Sequence, residues 1–181
     1  MKRDNRPPVT ESTLRTVLGH FPTGVVIVTA TLESDPVGMT LQSFLSLSIT
    51  PPLALLSVAK TSTTWPQIAT TRRFLVNMLS EEQGGLARQF AQTATDKFHG
   101  VDYTSDPALG GPLLAGTTAW VDCSIEAEYD GGDHIIVVAR VLEASAPTTG
   151  GAAPAPLIFH RSGFPRLYAD CCNQIERIPA Q

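Results

Sequence analysis

The chain reads as a mainly β protein: an antiparallel barrel with a few short helices. Three observations predict it. About seven short apolar stretches, each strand-sized and bounded by Gly, Pro or polar turns, follow one another along the chain. No βαβ alternation, internal repeat or composition break divides them. One late stretch, HIIVVARVL (134–142), is apolar on both faces, which places it inside a barrel or under a second subunit.

In order along the chain, residues 1–9 are polar and contain prolines, and read as a loose arm. Leu14, Val17, Leu18 and Phe21 fall at helical spacing, with Thr10 or Ser12 as N-cap and Pro22 as the stop. From Val25 the period becomes two, and VVIVTATL is a β-branched strand. After the turn ESDPVG, MTLQSFLSLSI (39–49) reads as one strand. Leu41, Leu45, Leu47 and Ile49 share one face, and Thr40, Gln42, Ser46 and Ser48 the other. Pro51-Pro52 breaks the chain before the buried strand LALLSVA (53–59). Residues 62–71, with Pro66 in the first turn, predict a short helix. FLVNML (74–79) is a strand. Ser80 and Gln83 have capping-box spacing ahead of a helix whose Leu86 and Phe90 share a face. Residues 119–128 alternate between wet and dry faces, and Asp130-Gly131-Gly132-Asp133 turns them into the 134–142 strand. ASAPTTGGAAPAP (144–156) is a flexible loop. PLIFH and FPRLY are closing strands. The organisation predicted is an arm (1–9), one domain (10–168) and a tail (169–181).

Composition narrows function. The 181 residues suit a single domain with a real core, and 43% are hydrophobic against 17% charged. So thin a charge layer suits either a partly covered surface or a merely quiet one. A net charge of −4 without a basic patch argues against nucleic acid. No apolar run reaches the roughly 18 residues of a membrane span, and the N-terminus has no secretory pattern, so a cytoplasmic protein is expected. Cys123, Cys171 and Cys172 make a poor disulfide framework and read as reduced thiols. There is no G-x-G-x-x-G, no Walker loop and no G-x-S-x-G. His20, His99, His134 and His160 lack ligand spacing, so no metal is expected.

Three polar clusters remain inside apolar surroundings: Thr40, Gln42, Ser43, Ser46 and Ser48; Lys60, Ser62 and Thr64; and Asp133-His134. A lysine and hydroxyls where a strand opens into a helix suit a phosphate, since helix N-termini offer free amides and partial positive charge. Spacing alone favours simple helix capping by Ser62 or Thr64 over a phosphate site. It also fits a wet edge strand for the serines and an ordinary hairpin position for His134.

Taken in order, FPTGVVIVTA (21–30), GMTLQSFLSLSITPPL (38–53), KTSTT (60–64), FLVNML (74–79), DKFHG (96–100), GDHIIVVARV (132–141) and PLIFH (156–160) resemble the flavin reductase family, the reductase components of two-component flavin monooxygenases. The resemblance spans nearly all of 14–168. It implies a Greek-key split β-barrel of the FMN-binding type, dimeric, with flavin near the subunit junction. It implies flavin contacts from Thr40, Gln42, Ser43, Ser46, Ser57, Lys60, Ser62, Thr64 and Phe98. His134 falls at the nicotinamide position, and His160 and Arg161 at the wall of the same cavity. The chain departs from the family in having Gln42 where Asn is common and Ala139 where Gly often follows. The implied activity is reduction of FAD, or alternatively FMN, by NADH, or alternatively NADPH, for a separate monooxygenase. No obligatory acid or base is expected, because the coenzymes carry the chemistry. The absence of an evident arginine cluster for a 2′-phosphate favours NADH. Two other functions suit the same barrel: an oxidase with tightly held flavin, and a non-catalytic flavin- or haem-binding module.

Overall fold

The β-branched run after Phe21 does form strands, and they build one curled sheet. The computed structural model describes residues 8–93, 96–146 and 154–167. The expected tail, Cys171 and Cys172, most of the N-terminal arm and the middle of the 144–156 loop lie outside them. The elements are helix α1 (Glu11–Leu18), strands β1 (Thr23–Gly24), β2 (Val26–Leu32), β3 (Asp35–Leu41), β4 (Leu45–Ser48) and β5 (Leu53–Ala59), and helix α2 (Trp65–Thr71). Strand β6 (Arg73–Met78) and a 3-10 turn (Glu81–Gln83) lead to helix α3 (Gly84–Ala91). Strands β7 (Tyr103–Thr104), β8 (Leu113–Leu114), β9 (Ala119–Gly131), β10 (His134–Ser145) and β11 (Ile158–Phe159) complete the described chain.

Seven strands form one antiparallel sheet in the order β3-β2-β6-β9-β10-β5-β4. Its two edges, β3 and β4, are separated by residues 42–44 alone. Six inter-strand gaps in a flat sheet would put those edges about 29 Å apart, whereas so short a link reaches about 14 Å. The sheet therefore has to roll up, and it does. Val28, Leu56, Phe74, Val76, Cys123, Val137 and Ala139 converge on one core, with Trp65 and Ile68 of α2 packed into it. A second cluster lies under α3, where Phe90 and Ala87 cover Val25 and Ile27 on the other face of β2.

Two buried polar sutures hold this body. The Asn77 amide donates to the Ile27 carbonyl (3.3 Å), the Thr29 hydroxyl (3.1 Å) and the Pro112 carbonyl (3.3 Å), and its oxygen accepts from the Leu114 amide (2.9 Å). Asp122, fully buried, accepts from Arg73 Nε (3.1 Å) and the Gly110 amide (2.8 Å). Gly111 lets the 105–114 segment lie against β2, since a Cβ there would sit 2.3 Å from the Thr29 carbonyl oxygen.

Several local expectations hold. Thr10 caps α1, accepting from the Thr13 amide at 3.2 Å. The Ser80–Gln83 capping box forms, with Gln83 Oε1 accepting from the Ser80 amide at 2.9 Å. Others change. The 39–49 segment is two strands, because Ser43 stops the first. Its hydroxyl donates to the Ser57 carbonyl (2.6 Å) and accepts from the Ser57 amide (3.1 Å), taking the place of a ladder partner at the barrel corner. After that corner Leu45, Leu47 and Ile49 point outward, Ile49 with 82% exposure, instead of continuing the buried face of Leu41. Helix α2 starts only at Trp65, because the Ser62 hydroxyl accepts from the Trp65 amide (3.1 Å) and residues 60–64 become its lead-in turn. Residues 164–167 of FPRLY form no strand. The preceding residues turn back on themselves through a His160–Gly163 bridge, and the Phe164 ring packs edge-on against Phe159.

Candidate functional site

Members of the first and third polar clusters, far apart in the chain, meet where β5 and β10 run side by side. Their register pairs His134 with Ala59 and Ile136 with Ser57. Directly opposed residues share a face, and so do residues two apart along a strand. His134 and Ser57 therefore stand on the same outer face of the barrel, while Val58 and Val137 point into the core. Beside them the β3 corner brings Met39, Thr40, Gln42 and Ser43. These residues, with Leu41, Ala59 and Ala91, line a cavity of about 370 Å³.

The cavity is one stretch of a longer groove. Gln42 also lines a neighbouring hollow of about 620 Å³ walled by Leu18, Phe21, Thr23 and Phe159. Arg15, Gly19 and Ser162 carry that hollow into a third, of about 330 Å³, which His20 and Arg161 complete. Near the start of α2, a separate hollow of about 240 Å³ is lined by Thr63, Thr64, Lys97 and Phe98.

Among the residues singled out in the sequence, Thr40, Gln42, Ser43, Ser57 and His134 come together in the first cavity. Two of them spend their hydroxyls on the scaffold: Thr40 donates to the Ala87 carbonyl (2.7 Å), tying β3 to α3, and Ser43 makes the corner already described. Among the described residues, the Gln42 amide and the Ser57 hydroxyl have no hydrogen-bond partner, which leaves them for a ligand. Lys60 reaches over the hairpin turn to Asp130 (2.6 Å), and its amide donates to the Asp133 carbonyl (3.0 Å). Ser62 caps α2, and Thr64 and Phe98 belong to the separate hollow. Ser46 sits on β4 opposite Ala54, and His160 in the turn after β11, both outside these linings. Arg161 belongs to the far end of the groove, beyond the cavity that holds His134.

The hairpin turn is electrostatically arranged. The Lys60 ammonium, donating to Asp130, holds that carboxyl below its usual range, helped by the Gly132 amide. His134 Nδ1 lies 2.7 Å from Asp133 Oδ1, and this bond lowers the Asp133 carboxyl. It also fixes the imidazole's orientation, leaving Nε2 free of that contact. The sequence reading passed over Lys97. Its ammonium donates to the Gly38 carbonyl (3.1 Å) and the Thr64 hydroxyl (3.2 Å), and partial burial lowers its pKa. The signal was present in DKFHG, where a lysine adjoins Phe98.

The residues fit a flavin. A flat ring needs apolar walls with a few polar atoms at its edge, as Met39, Leu41, Ala59 and Ala91 provide beside Gln42 and Ser57. An anionic tail needs a cation nearby, and Lys60 and Lys97 flank this end. A rolled antiparallel sheet carrying such a groove on its outer face defines a split-barrel flavin-binding protein.

The chain belongs to the flavin reductase like domain family, which it matches over residues 18–168. It is 42% identical over 156 residues to the flavin-dependent monooxygenase reductase subunit HsaB of Rhodococcus jostii, covering 86% of this chain and 77% of that protein. Its fold superimposes on a homolog of nitrilotriacetate monooxygenase component B from Mycobacterium thermoresistibile, with TM-score 0.84 and 37% identity over 94% of this chain and 91% of that one. It also matches the NADH:FAD oxidoreductase SgcE6 of Streptomyces globisporus, solved with NAD and FAD fragments, with TM-score 0.81 and 36% identity over 91% of this chain and 99% of that one.

Proposed function

We infer that this protein is an NADH-dependent flavin reductase that reduces FAD and supplies it to a separate monooxygenase. The observation that carries the reading is the groove in which Gln42, Ser57 and His134, from three separate segments, line one cavity beside an apolar wall. When bound there, the flavin accepts the hydride that the reduced nicotinamide gives up.

The residues supply position. Met39, Leu41 and Ala59 offer apolar contact to the ring, and Gln42 and Ser57 offer it hydrogen bonds. Lys60, with Lys97 behind it, attracts the phosphate of the tail. His134, its ring steadied by Asp133, orients the nicotinamide carboxamide over the flavin. No side chain here needs to move a proton for the hydride to pass.

The active form is a homodimer in which the outer faces of β5, β9 and β10 are covered. Leu55 opposite Val138, with Ile136 opposite Tyr129, makes an outward strip of apolar side chains running from the cavity. Tyr129 keeps 59% exposure in the single chain. A second copy is the partner that removes this strip from water while staying next to the groove. Sedimentation equilibrium should give twice the chain mass, and Ile136→Glu should give the monomer.

The decisive assay is steady-state, crossing NADH and NADPH with FAD and FMN. NADH should be consumed only when free flavin is added, and faster with FAD. Consumption of neither nicotinamide with either flavin would contradict the reading. Turnover on flavin that copurifies, with no response to added flavin, would favour the oxidase instead.

A further inference from the structure

We propose that Arg161, with His20 beside it, forms a pyrophosphate clamp at the far end of the groove, gripping the phosphates of the nicotinamide dinucleotide. The inference rests on the reductase reading and adds a binding site for the part of the donor that does not react.

The bonding of Arg161 sets it apart. Among the described residues, every other arginine is engaged by a carboxylate, a carbonyl or an aromatic ring. Arg73 holds Asp122, Arg140 holds Glu126, Arg166 holds Glu82 and Arg15 holds Glu11. Arg72 donates to the Ile125 carbonyl, and Arg88 lies over Phe164. Among the described residues, the guanidinium of Arg161 has the ring of His20 as its one hydrogen-bond partner, with Nδ1 at 2.9 Å. A guanidinium beside an imidazole is an anion site waiting for its anion, since guanidinium pairs best with carboxylate or phosphate.

The backbone holds it there. Arg161 (φ 47°) and Ser162 (φ 63°) are both left-handed, a conformation that costs energy for residues other than glycine and collects at functional sites. The turn is pinned by the Arg161 amide donating to the Gly19 carbonyl (3.1 Å) and by the His160–Gly163 bridge. His20 and Arg161 lie 141 residues apart in the chain, so the cluster was invisible to a search for local basic runs.

Position selects the ligand. The cluster's hollow opens through Arg15 and Ser162 into the one that Gln42 shares with the His134 cavity. The charge of Arg15 also reaches the Asp133 carboxyl beside His134 and helps to lower it. A molecule with its reactive ring at His134 could therefore lay its phosphates here. Both coenzymes contain a pyrophosphate, but the flavin's has cations of its own in Lys60 and Lys97, at the hairpin and α2 side of the cavity. Two dinucleotides meeting ring to ring need two cationic ends: Lys60 and Lys97 stand by the hairpin and the start of α2, and Arg161 stands in the far hollow.

The test uses Arg161→Gln and His20→Gln in the full chain, with thermal melts to confirm folding. NAD+ binding to the flavin-loaded protein is measured by calorimetry, and turnover with NADH, NADPH and the phosphate-free donor N-benzyl-dihydronicotinamide. Losing one charge-assisted contact corresponds to about a tenfold loss of affinity. Arg161→Gln should raise the NAD+ Kd and the NADH KM by about that factor, with kcat, FAD affinity and N-benzyl-dihydronicotinamide turnover within about twofold; His20→Gln should do less. Unchanged NAD+ affinity, an equal fall with the phosphate-free donor, a parallel loss of FAD affinity, or a loss confined to NADPH would each overturn the clamp. Wild-type protein that binds NAD+ at Arg161 but oxidises no NADH would sink the reductase reading and leave the clamp standing.

Discussion

The barrel carries two polar regions built on opposite plans. At the sutures around Asn77 and Asp122 the polar side chains are buried and their bonds are closed on the protein itself. In the groove, Ser57 and His134 are half-buried and Gln42 is exposed, and the Gln42 amide and Ser57 hydroxyl have no partners among the described residues. A buried polar group left open costs stability, so closed networks mark the scaffold. Polar groups left open at the mouth of a cavity mark where something else completes the bonding. Ser43 and Ser57 show the difference within one contact: the Ser43 hydroxyl is consumed by the Ser57 backbone, while the Ser57 hydroxyl stays available.

Breaking the closed region should have the largest effect. Asn77→Ala strands the buried Leu114 amide and takes a donor from three acceptors, and should lower unfolding free energy by about 3 kcal/mol in urea titrations. Turnover per folded molecule should hardly change. His134→Ala should act the other way, raising the nicotinamide KM about tenfold while moving flavin affinity less than twofold. Equal effects on both coenzymes would reject its positioning role. The serine pair sharpens the contrast. Ser43→Ala should cost about 1 kcal/mol of stability, whereas Ser57→Ala should cost under about 0.5 kcal/mol and weaken FAD about fivefold in fluorescence titrations.

The smallest effects concern charge and sulfur. The Asp130 carboxyl is lowered in the folded state, so its contribution is present above the unfolded value near pH 4 and lost as pH falls through the folded one. Thermal melts of Asp130→Asn and wild type should therefore differ above about pH 4 and converge in stronger acid, with no feature between pH 5 and 8. Burial, followed by the Asp122 charge, pushes the Cys123 thiol up to about 12. In a Cys171→Ser, Cys172→Ser background the native protein should give no reaction with a thiol reagent at pH 8, and one equivalent after unfolding.

Strands with clear alternation or β-branched runs were legible in the sequence, as were the two caps at Thr10 and Ser80, because local periodicity and local hydrogen bonds decide them. The break at Ser43 was not legible, since its partner is the backbone of Ser57 across the barrel. The ring pocket could be named from motifs only as a set of candidates. Register between β5 and β10 is what puts His134 on the face of Ser57. Lys97 and the Arg161–His20 contact escaped because each pairs with residues distant in the chain. The fold brings Arg15 and Arg161, far apart in the chain, to the lining of one hollow, which no run of sequence neighbours displays.

The central claim is that the flavin ring lies against the β3 corner and Ser57, with the nicotinamide at His134. A crystal structure with FAD and NAD+ tests it most directly. The account predicts ring density between Met39–Ser43 and Ser57, with the nicotinamide next to His134. Ring density elsewhere, for example in the hollow of about 490 Å³ lined by Trp120 and Leu113 at the opposite end of the β9–β10 ladder, would contradict it.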